Sequence, residues 1–265
     1  MSKTSNKNLI TRDLFLKKAV VGAAGFYVAT KSKAAMGTMP FSFWKPIPVT
    51  TNYSYNFAGS NYLTATNSCF DFLLVGNTSA TYTVEAYVYM TNYGTYGSSY
   101  IFPGIISKGT VWFNFGVKNG QICFYWYNGS IEQNVLSNST SDVPLNTWVY
   151  VTMVVSGAII QFYVNGVYNS FYTLFDGVAS GGVGTTPYIG YETIGPGLWP
   201  GYISNLRVTN NAVYSGNFTP PTTNLTAISG TQLLTCKSST IVDNGPNAYT
   251  LTNNTSVTPS TFAPF

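Results

Sequence analysis

The sequence contains no histidine, and only 8% of its 265 residues are charged. The absence of histidine excludes Ser-His-Asp and Cys-His catalytic groups and leaves few ways to hold zinc. The charged fraction lies far below the roughly 25% of an ordinary soluble domain. The surface must therefore be built from hydroxyl and amide side chains, which suits an extracellular or assembled protein better than a cytosolic one.

Cysteine is scarce as well, with three residues and no Cys-x-x-Cys spacing. An odd number allows at most one bridge within the chain. We expect Cys69, Cys123 and Cys236 to be reduced thiols that serve as small buried hydrophobes. A bridge between Cys69 and Cys236, which would tie early strands to late ones, is the alternative.

The basic residues are concentrated in one part of the chain. Eight of the twelve lysines and arginines precede residue 46, where the only acid is Asp13. From residue 46 onward there are four basic and seven acidic residues, a net charge of −3. The chain is therefore a basic arm joined to a mildly acidic body. Such an arm suits nucleic acid, anionic lipid or an acidic protein surface, and its charge does not choose among them.

The arm, residues 1–45, is compatible with a helix over residues 14–30, but the uncharged run at 19–30 has 12 residues. A bilayer-spanning helix needs about 20, so we expect no transmembrane span. We expect a retained arm that anchors the protein to an assembly, while a secretory signal cleaved near Ala35 and simple disorder stay open. The candidate anchoring residues are basic or aromatic: Arg12, Phe15, Lys17, Lys18, Phe26, Phe41, Phe43 and Trp44.

The rest of the chain has the composition of an all-β protein. Tyrosine (21), phenylalanine (17) and glycine (25) take the place of the residues that favour helices. Asn-Gly pairs at residues 119–120, 128–129 and 165–166 stand between β-rich runs, and Asn-Gly favours a tight hairpin because both turn residues need positive φ. At this length one sandwich domain suffices.

Two stretches indicate where the strands lie. Residues 82–90 alternate strictly, and Val84, Ala86, Val88 and Met90 mark the core face. Residues 146–170 are apolar on both faces, which predicts central strands. Residues 216–265 contain five prolines, and we expect an extended chain with one short strand at 232–236.

An ordered series of segments resembles the concanavalin A-like, laminin-G-like jelly-roll domains. The matching segments are residues 57–63, 82–88, 106–109, 146–151, 162–166, 188–190 and 201–208. The resemblance covers about residues 53–215 and implies an antiparallel β-sandwich. With the helical or extended arm it divides the chain into an arm (1–45), a jelly-roll domain (46–215) and a proline-rich C-terminal extension packed on the sandwich (216–265).

The segments at 210–221, 233–237 and 241–244 resemble the extension found on such domains in structural proteins of marine phages and cyanophages. This resemblance implies a virion structural protein, such as a capsid decoration protein, fibre or appendage, displayed on the virion surface. Its partners would be other virion proteins or copies of itself, held through the arm. The alternative is a carbohydrate-binding adhesin or receptor-binding module, virion-borne or secreted, that contacts host-surface glycans.

Catalysis is not expected. Glucanases of related fold need two carboxylates about 5–9.5 Å apart, and the Glu-x-Asp-x-x-Glu strand of those enzymes has no counterpart in the seven acids of the body. We expect no cofactor; calcium, which some relatives bind with loop carboxylates, has one weak candidate ligand in Asp176. No specific nucleic-acid binding is expected, because basic residues do not alternate with aromatic ones.

Glycan binding would need aromatic faces and amides at loop tips, because the C-H face of a sugar stacks on rings while its hydroxyls take hydrogen bonds. The candidate residues lie in or beside glycine-rich loops: Tyr93, Tyr96, Tyr100, Tyr191 and Trp199. In a chain with 16% aromatic residues, packing within the fold or contact between subunits is the competing interpretation for each of them.

Overall fold

The body is built from short antiparallel strands. The computed structural model describes residues 51–74, 79–96, 101–109, 113–173, 176–193, 195 and 197–265. The arm with its candidate anchoring residues lies outside these ranges, as does Tyr100. Single turns of 3-10 helix occupy Asp71–Leu74 and Ser180–Gly182. The strands are β1 (Ser54–Asn56), β2 (Leu63–Ala65), β3 (Thr81–Met90), β4 (Gly104–Lys108), β5 (Phe113–Lys118), β6 (Gln121–Tyr127), β7 (Glu132–Leu136), β8 (Trp148–Ser156), β9 (Ile159–Val164), β10 (Val167–Thr173), β11 (Pro187–Ile189), β12 (Tyr191–Glu192), β13 (Gly197–Leu198), β14 (Gly201–Thr209), β15 (Thr231–Thr235), β16 (Leu251–Asn253) and β17 (Thr258–Ser260).

The strands form two large sheets and one small ribbon. The first sheet has eight strands in the order β10-β9-β8-β3-β14-β1-β17, with β15 paired to β14. The second has seven strands in the order β16-β2-β11-β4-β5-β6-β7, and β12 pairs with β13 alone. The two large sheets enclose one apolar core, so the predicted antiparallel β-sandwich is confirmed.

Two of the Asn-Gly pairs form the predicted hairpin turns. Asn119 and Gly120 have φ of 49° and 83°, and Asn165 and Gly166 have φ of 49° and 75°. Positive φ at both positions is what joins two strands through a tight turn. These turns connect β5 to β6 and β9 to β10 and so fix the register of both hairpins.

The predicted core face and central strands are also confirmed. Val84, Ala86, Val88 and Met90 are completely buried. β8 lies between β3 and β9 and is buried along both faces from residue 149 to 155. Its β-branched and aromatic residues suit a strand that is covered on both sides.

The C-terminal extension contributes more strands than its sequence indicates. Besides β15, which matches the predicted strand, β16 pairs with β2 in one sheet and β17 pairs with β1 in the other. Each has three residues, too few to show a periodic pattern. Pairing with distant partners, and not local propensity, therefore creates these two strands.

The extension also covers the outer face of the eight-stranded sheet. The Tyr87 hydroxyl on β3 donates to the carbonyl oxygen of Pro221 at 2.7 Å. The Phe262 ring packs edge-on against Tyr89, with ring centroids 4.9 Å apart, and the Phe265 ring packs against Tyr87. Residues from Asn52 to Phe265 accordingly form one compact unit.

The three cysteines are free thiols. Cys69, Cys123 and Cys236 are fully buried and are not bridged in the structure, which agrees with the expectation that they serve as small buried hydrophobes. Burial raises the pKa of each thiol because the thiolate would be desolvated. Within the described ranges, no helix has the length and apolarity that crossing a bilayer requires.

Candidate functional site

Three loops meet at one end of the sandwich. The backbone N-H of Gly59 donates to the carbonyl oxygen of Trp199 at 3.0 Å. The Thr91 N-H and hydroxyl both donate to the carbonyl oxygen of Pro200, at 2.8 and 3.0 Å. The segment before β14 therefore ties the loop that follows β1 to the loop that follows β3.

These loops enclose a cleft of about 370 Å³, within the range of about 300–1,000 Å³ typical of small-molecule sites. Among the described residues, the lining comes from three segments and carries no charged side chain: Ala58 and Gly59, then Thr91, Asn92, Gly94 and Tyr96, and finally Leu198 and Pro200. Thr91 and Asn92 are exposed. The cleft thus offers uncharged polar groups, hydroxyls and an amide, beside smaller apolar surfaces.

The Tyr96 side chain lies between this cleft and a smaller cavity. It packs over Gly94, whose φ is +73°, and an added Cβ there would lie 2.5 Å from the Tyr96 hydroxyl. The second cavity measures about 40 Å³ and is lined by residues that include Tyr93, Tyr96 and Lys118. Glycine at position 94 therefore allows both the backbone turn and the position of Tyr96.

A cluster of three half-buried tyrosines adjoins the cleft. The rings of Tyr62 and Tyr191 stack, with centroids 5.0 Å apart and planes at 24°. The Tyr188 ring lies 5.7 Å from Tyr62 and 5.4 Å from Tyr191. Together they form a small aromatic surface, which we call the tyrosine cluster.

The β12–β13 ribbon connects the cluster to the cleft. Tyr191 lies directly opposite Leu198 in the ribbon, and side chains of opposed residues in an antiparallel pair point to the same face. Leu198 lines the cleft. The tyrosine cluster and the cleft are therefore neighbouring parts of one surface.

Gly190 places Tyr191 in this position. The sequence predicts one short strand over residues 188–192, but the chain turns at Gly190, where φ is +78°. A Cβ at Gly190 would lie 2.2 Å from the Phe57 ring. The turn sends Tyr188 into the seven-stranded sheet and Tyr191 into the separate ribbon.

Three of the five predicted glycan-binding residues, Tyr93, Tyr96 and Tyr191, lie at this end of the molecule. Tyr93 lines only the smaller cavity, and its hydroxyl donates to the carbonyl oxygen of Val143 at 2.8 Å. The prediction for Trp199 is corrected, because its side chain is completely buried in the core and offers no ring face to a ligand. Its carbonyl group instead holds the loop at Gly59.

Sequence reasoning missed two members of the tyrosine cluster. Tyr62 lies within a predicted strand-and-turn segment, residues 53–63, and Tyr188 begins the predicted strand at 188–192. Only the pairing of Tyr188 with Thr64 across β11 and β2 brings them together. The one local signal was the presence of both residues in segments that also carry glycine, Gly59 and Gly190.

A buried carboxyl group lies behind the site. Glu192 is completely buried, and its Oε2 accepts a hydrogen bond from Gly195 N-H at 3.2 Å. Burial, and secondly the charge of Glu192, raise the pKa of the hydroxyls of Tyr96 and Tyr191. Both hydroxyls therefore stay protonated at neutral pH and serve as hydrogen-bond donors.

The weak calcium candidate, Asp176, has both carboxylate oxygens engaged. Oδ1 accepts from Trp126 Nε1 at 3.0 Å, and Oδ2 accepts from Asn128 Nδ2 at 2.5 Å. Across the described part of the chain, no group of three His, Cys, Asp or Glu residues could hold a metal ion. Calcium prefers six to eight oxygen ligands, and Asp176 alone does not supply them.

We compared the chain with curated proteins, solved structures and protein families. No curated protein shows significant sequence similarity to the chain. A candidate carbohydrate-binding protein from Bacteroides ovatus is similar in structure, with a TM-score of 0.57, 17% identity, and coverage of 81% of this chain and 61% of that one. The chain thus spans about three fifths of that protein.

Two further solved structures are similar to smaller parts of the chain. A heptameric SAP-like pentraxin from Limulus polyphemus has 18% identity, a TM-score of 0.40, and coverage of 62% of this chain and 79% of that one. The CBM40 of a Ruminococcus gnavus IT-sialidase, bound to α2,3-sialyllactose, has 12% identity, a TM-score of 0.41, and coverage of 51% and 78%. The laminin-G family model of the concanavalin A-like lectin/glucanases superfamily matches residues 57–215, more than half of the chain. The chain belongs to the concanavalin A-like lectin/glucanases superfamily.

Proposed function

We propose that this chain is a non-catalytic carbohydrate-binding module whose binding surface consists of the cleft and the tyrosine cluster. The observation that carries the proposal is the stacked pair Tyr62 and Tyr191 beside a cleft whose described lining residues are uncharged. Aromatic rings bind the C-H face of a sugar, while amides and hydroxyls such as those of Asn92 and Thr91 bind its hydroxyl groups. The fold shared with a candidate carbohydrate-binding protein supports the proposal.

A binding role is favoured over glycoside hydrolysis by the chemistry of the cleft. Hydrolysis requires two carboxyl groups on either side of the scissile bond, and the described residues that line the cleft include none. Two buried acids of the body make structural contacts instead. Glu85 on β3 is paired with Arg207, and Asp243, which follows β15, accepts three backbone N-H groups.

The experiment is a glycan-binding measurement on the full chain and on two variants. Tyr96→Ala and Tyr191→Ala are each expected to weaken binding about tenfold or more, because truncation of an aromatic anchor typically costs about 2 kcal/mol. Tyr168→Ala is the matched control, since Tyr168 is 39% exposed on β10 and does not line the cleft. Unchanged affinity in both site variants, or no glycan bound by the native chain, would contradict the proposal.

The virion structural role stays a prediction. It depends on the resemblance of residues 210–244 to extensions of phage proteins and on the arm, which lies outside the described residues. The superfamily to which residues 57–215 belong is named for lectins and glucanases, so glycan binding is the better supported alternative. Display on a virion surface and secretion are both compatible with such a module.

A further inference from the structure

The charge inventory of the body bears on the kind of glycan that the cleft would accept. From Asn52 to the C-terminus the sequence has seven acids and only four bases: Lys108, Lys118, Arg207 and Lys237. An acidic sugar needs a cation, or several well-placed N-H donors, to replace the water that it loses on binding. The positions of these four bases show whether a cation of the described part of the chain can reach an acidic sugar in the cleft.

Three of the four bases are committed to structural contacts. The Lys108 ammonium is completely buried, lies 2.7 Å from Asp71 Oδ1, and donates to three backbone carbonyls. Arg207 is buried against Glu85. Lys237 donates to the carbonyl oxygen of Leu225. None of the three lines the cleft.

The fourth base, Lys118, lines the smaller cavity and not the cleft. That cavity measures about 40 Å³, which accommodates about three water molecules at 10–15 Å³ each and no sugar ring. The Tyr96 side chain lines both spaces. An acidic group in the cleft would therefore have Tyr96 between itself and the Lys118 ammonium.

A buried carboxyl group also lies beside the site. Glu192 is completely buried, and after burial itself it is the second cause that raises the pKa of the Tyr96 and Tyr191 hydroxyls. Within the described part of the chain, no basic side chain lines the cleft. An anion in the cleft would therefore lose its water shell without gaining a counter-charge.

We propose that the cleft and the tyrosine cluster select neutral glycans and discriminate against glycans with carboxylate, sulfate or phosphate groups. The inference rests on the proposed function, since it specifies the ligand of the same surface. Uncharged sugars lose nothing by the absence of a cation, because their binding uses ring stacking and neutral hydrogen bonds. The uncharged lining thus discriminates against acidic glycans through desolvation.

The test is a binding comparison on matched glycans. The full chain is applied to a printed array of neutral oligosaccharides, each beside its sialylated and its sulfated counterpart. We expect binding to neutral members and at least about tenfold weaker binding to their acidic counterparts, since burying an ionised group without a partner costs several kcal/mol. Acidic glycans that bind equally or more tightly, and lose binding in Tyr191→Ala, would overturn the inference and leave the proposed function standing. If no printed glycan binds, the proposed function fails and the inference falls with it.

Two further variants test the ionisable groups near the site. Glu192→Gln keeps an acceptor oxygen for Gly195 N-H and cannot ionise, so it is expected to leave the preference for neutral glycans in place, because that preference comes from the lack of a cation in the described lining. Lys118→Gln is expected to change the binding of neither neutral nor acidic glycans. Loss of acidic-glycan binding in Lys118→Gln would show that this lysine binds the acidic group of the glycan, and it would overturn the inference. A thermal melt of each variant establishes that it is folded, and the array result on the native chain remains decisive if Glu192→Gln is not.

Discussion

Glu85 shows how one buried carboxylate holds the segment that leads into the C-terminal extension against the sandwich. It is completely buried on β3, and Arg207 Nε and Nη2 contact its Oε1 at 2.7 and 2.6 Å. Its Oε2 accepts from the hydroxyls of Tyr150 at 2.5 Å and Tyr214 at 2.8 Å. The alternation of residues 82–90 places Glu85 opposite the core face, but it does not reveal that residue 214 covers it. The alternation within one strand cannot show that Tyr214, 129 residues further along the chain, contacts Glu85.

We expect Glu85→Gln to destabilise the fold by about 3–5 kcal/mol, because it leaves the Arg207 charge buried without a counter-charge. Urea denaturation followed by circular dichroism measures the effect. Glu132→Gln is the control, since Glu132 is exposed at the start of β7 and surface changes of this kind usually stay within about 0.5 kcal/mol. Equal stability of the two variants would show that the Glu85–Arg207 pair contributes little.

The turn of the β9–β10 hairpin is predicted by a local motif, but its contact with the C-terminal extension is not. The Asn165-Gly166 pair predicts the turn, and positive φ at both residues confirms it. Gly166 also has a second role, because an added Cβ would lie 2.0 Å from the Phe218 carbonyl oxygen. Phe218 N-H in turn donates to the Gly166 carbonyl oxygen at 2.8 Å. The extension therefore docks on the turn, a contact that the motif does not encode.

Gly166→Ala is expected to destabilise the protein by more than the roughly 1–2 kcal/mol that positive φ costs an alanine, because the new methyl group also displaces the segment at Phe218. Gly184→Ala separates the effect of positive φ from the effect of the contact with Phe218. Gly184 has the same φ of +75°, but nothing lies within 4 Å of its added Cβ. Denaturant melts of both variants give the difference. Equal losses of stability in the two variants would mean that the segment at Phe218 moves away from the new methyl group without a measurable free-energy cost.

The loops that carry the candidate site were only partly predictable. Tyr96 and Tyr191 were identified because aromatic residues beside glycines suit a loop site, and the structure places both there. Trp199 fits the same pattern but lies in the core. Tyr62 joins the site only because β2 pairs with β11. Composition and turn chemistry thus predict the existence of loops, while long-range strand pairing decides which of them meet.

For the molecule as a whole, the sequence predicts the β-sandwich well and the role of its last fifty residues less well. Hairpin turns and alternation are local, and they specify most of the strands between β3 and β14. β15, β16 and β17 instead complete both sheets from a proline-rich segment. The extension is therefore part of the fold, and it lies in the same compact unit as the sandwich.

The absence of histidine and the abundance of buried tyrosine together set the pH dependence of stability. Without histidine, we expect stability to change little between about pH 6 and 8, where few other side chains titrate. Above this range the unfolded chain loses protons first, from cysteine near pH 8.5 and from tyrosine near pH 10. Burial raises the pKa of Tyr55 to about 12 and raises the pKa of other hydroxyls and thiols, those of Tyr82, Tyr150, Tyr214, Cys69, Cys123 and Cys236.

In that range the folded state binds more protons than the unfolded state, so the free energy of unfolding must fall as pH rises. The stabilising contribution of each group is complete below its unfolded pKa and is lost as pH rises toward its folded pKa. Urea midpoints measured under reducing conditions from pH 6 to 11 test this, together with tyrosinate absorbance. We expect a plateau, a decline that begins above about pH 8 and steepens beyond 10, and tyrosinate from the buried rings appearing only with unfolding. Stability that increases above pH 10, or full tyrosine ionisation in a chain that keeps its native circular dichroism, would show that these rings are not buried as the fold requires.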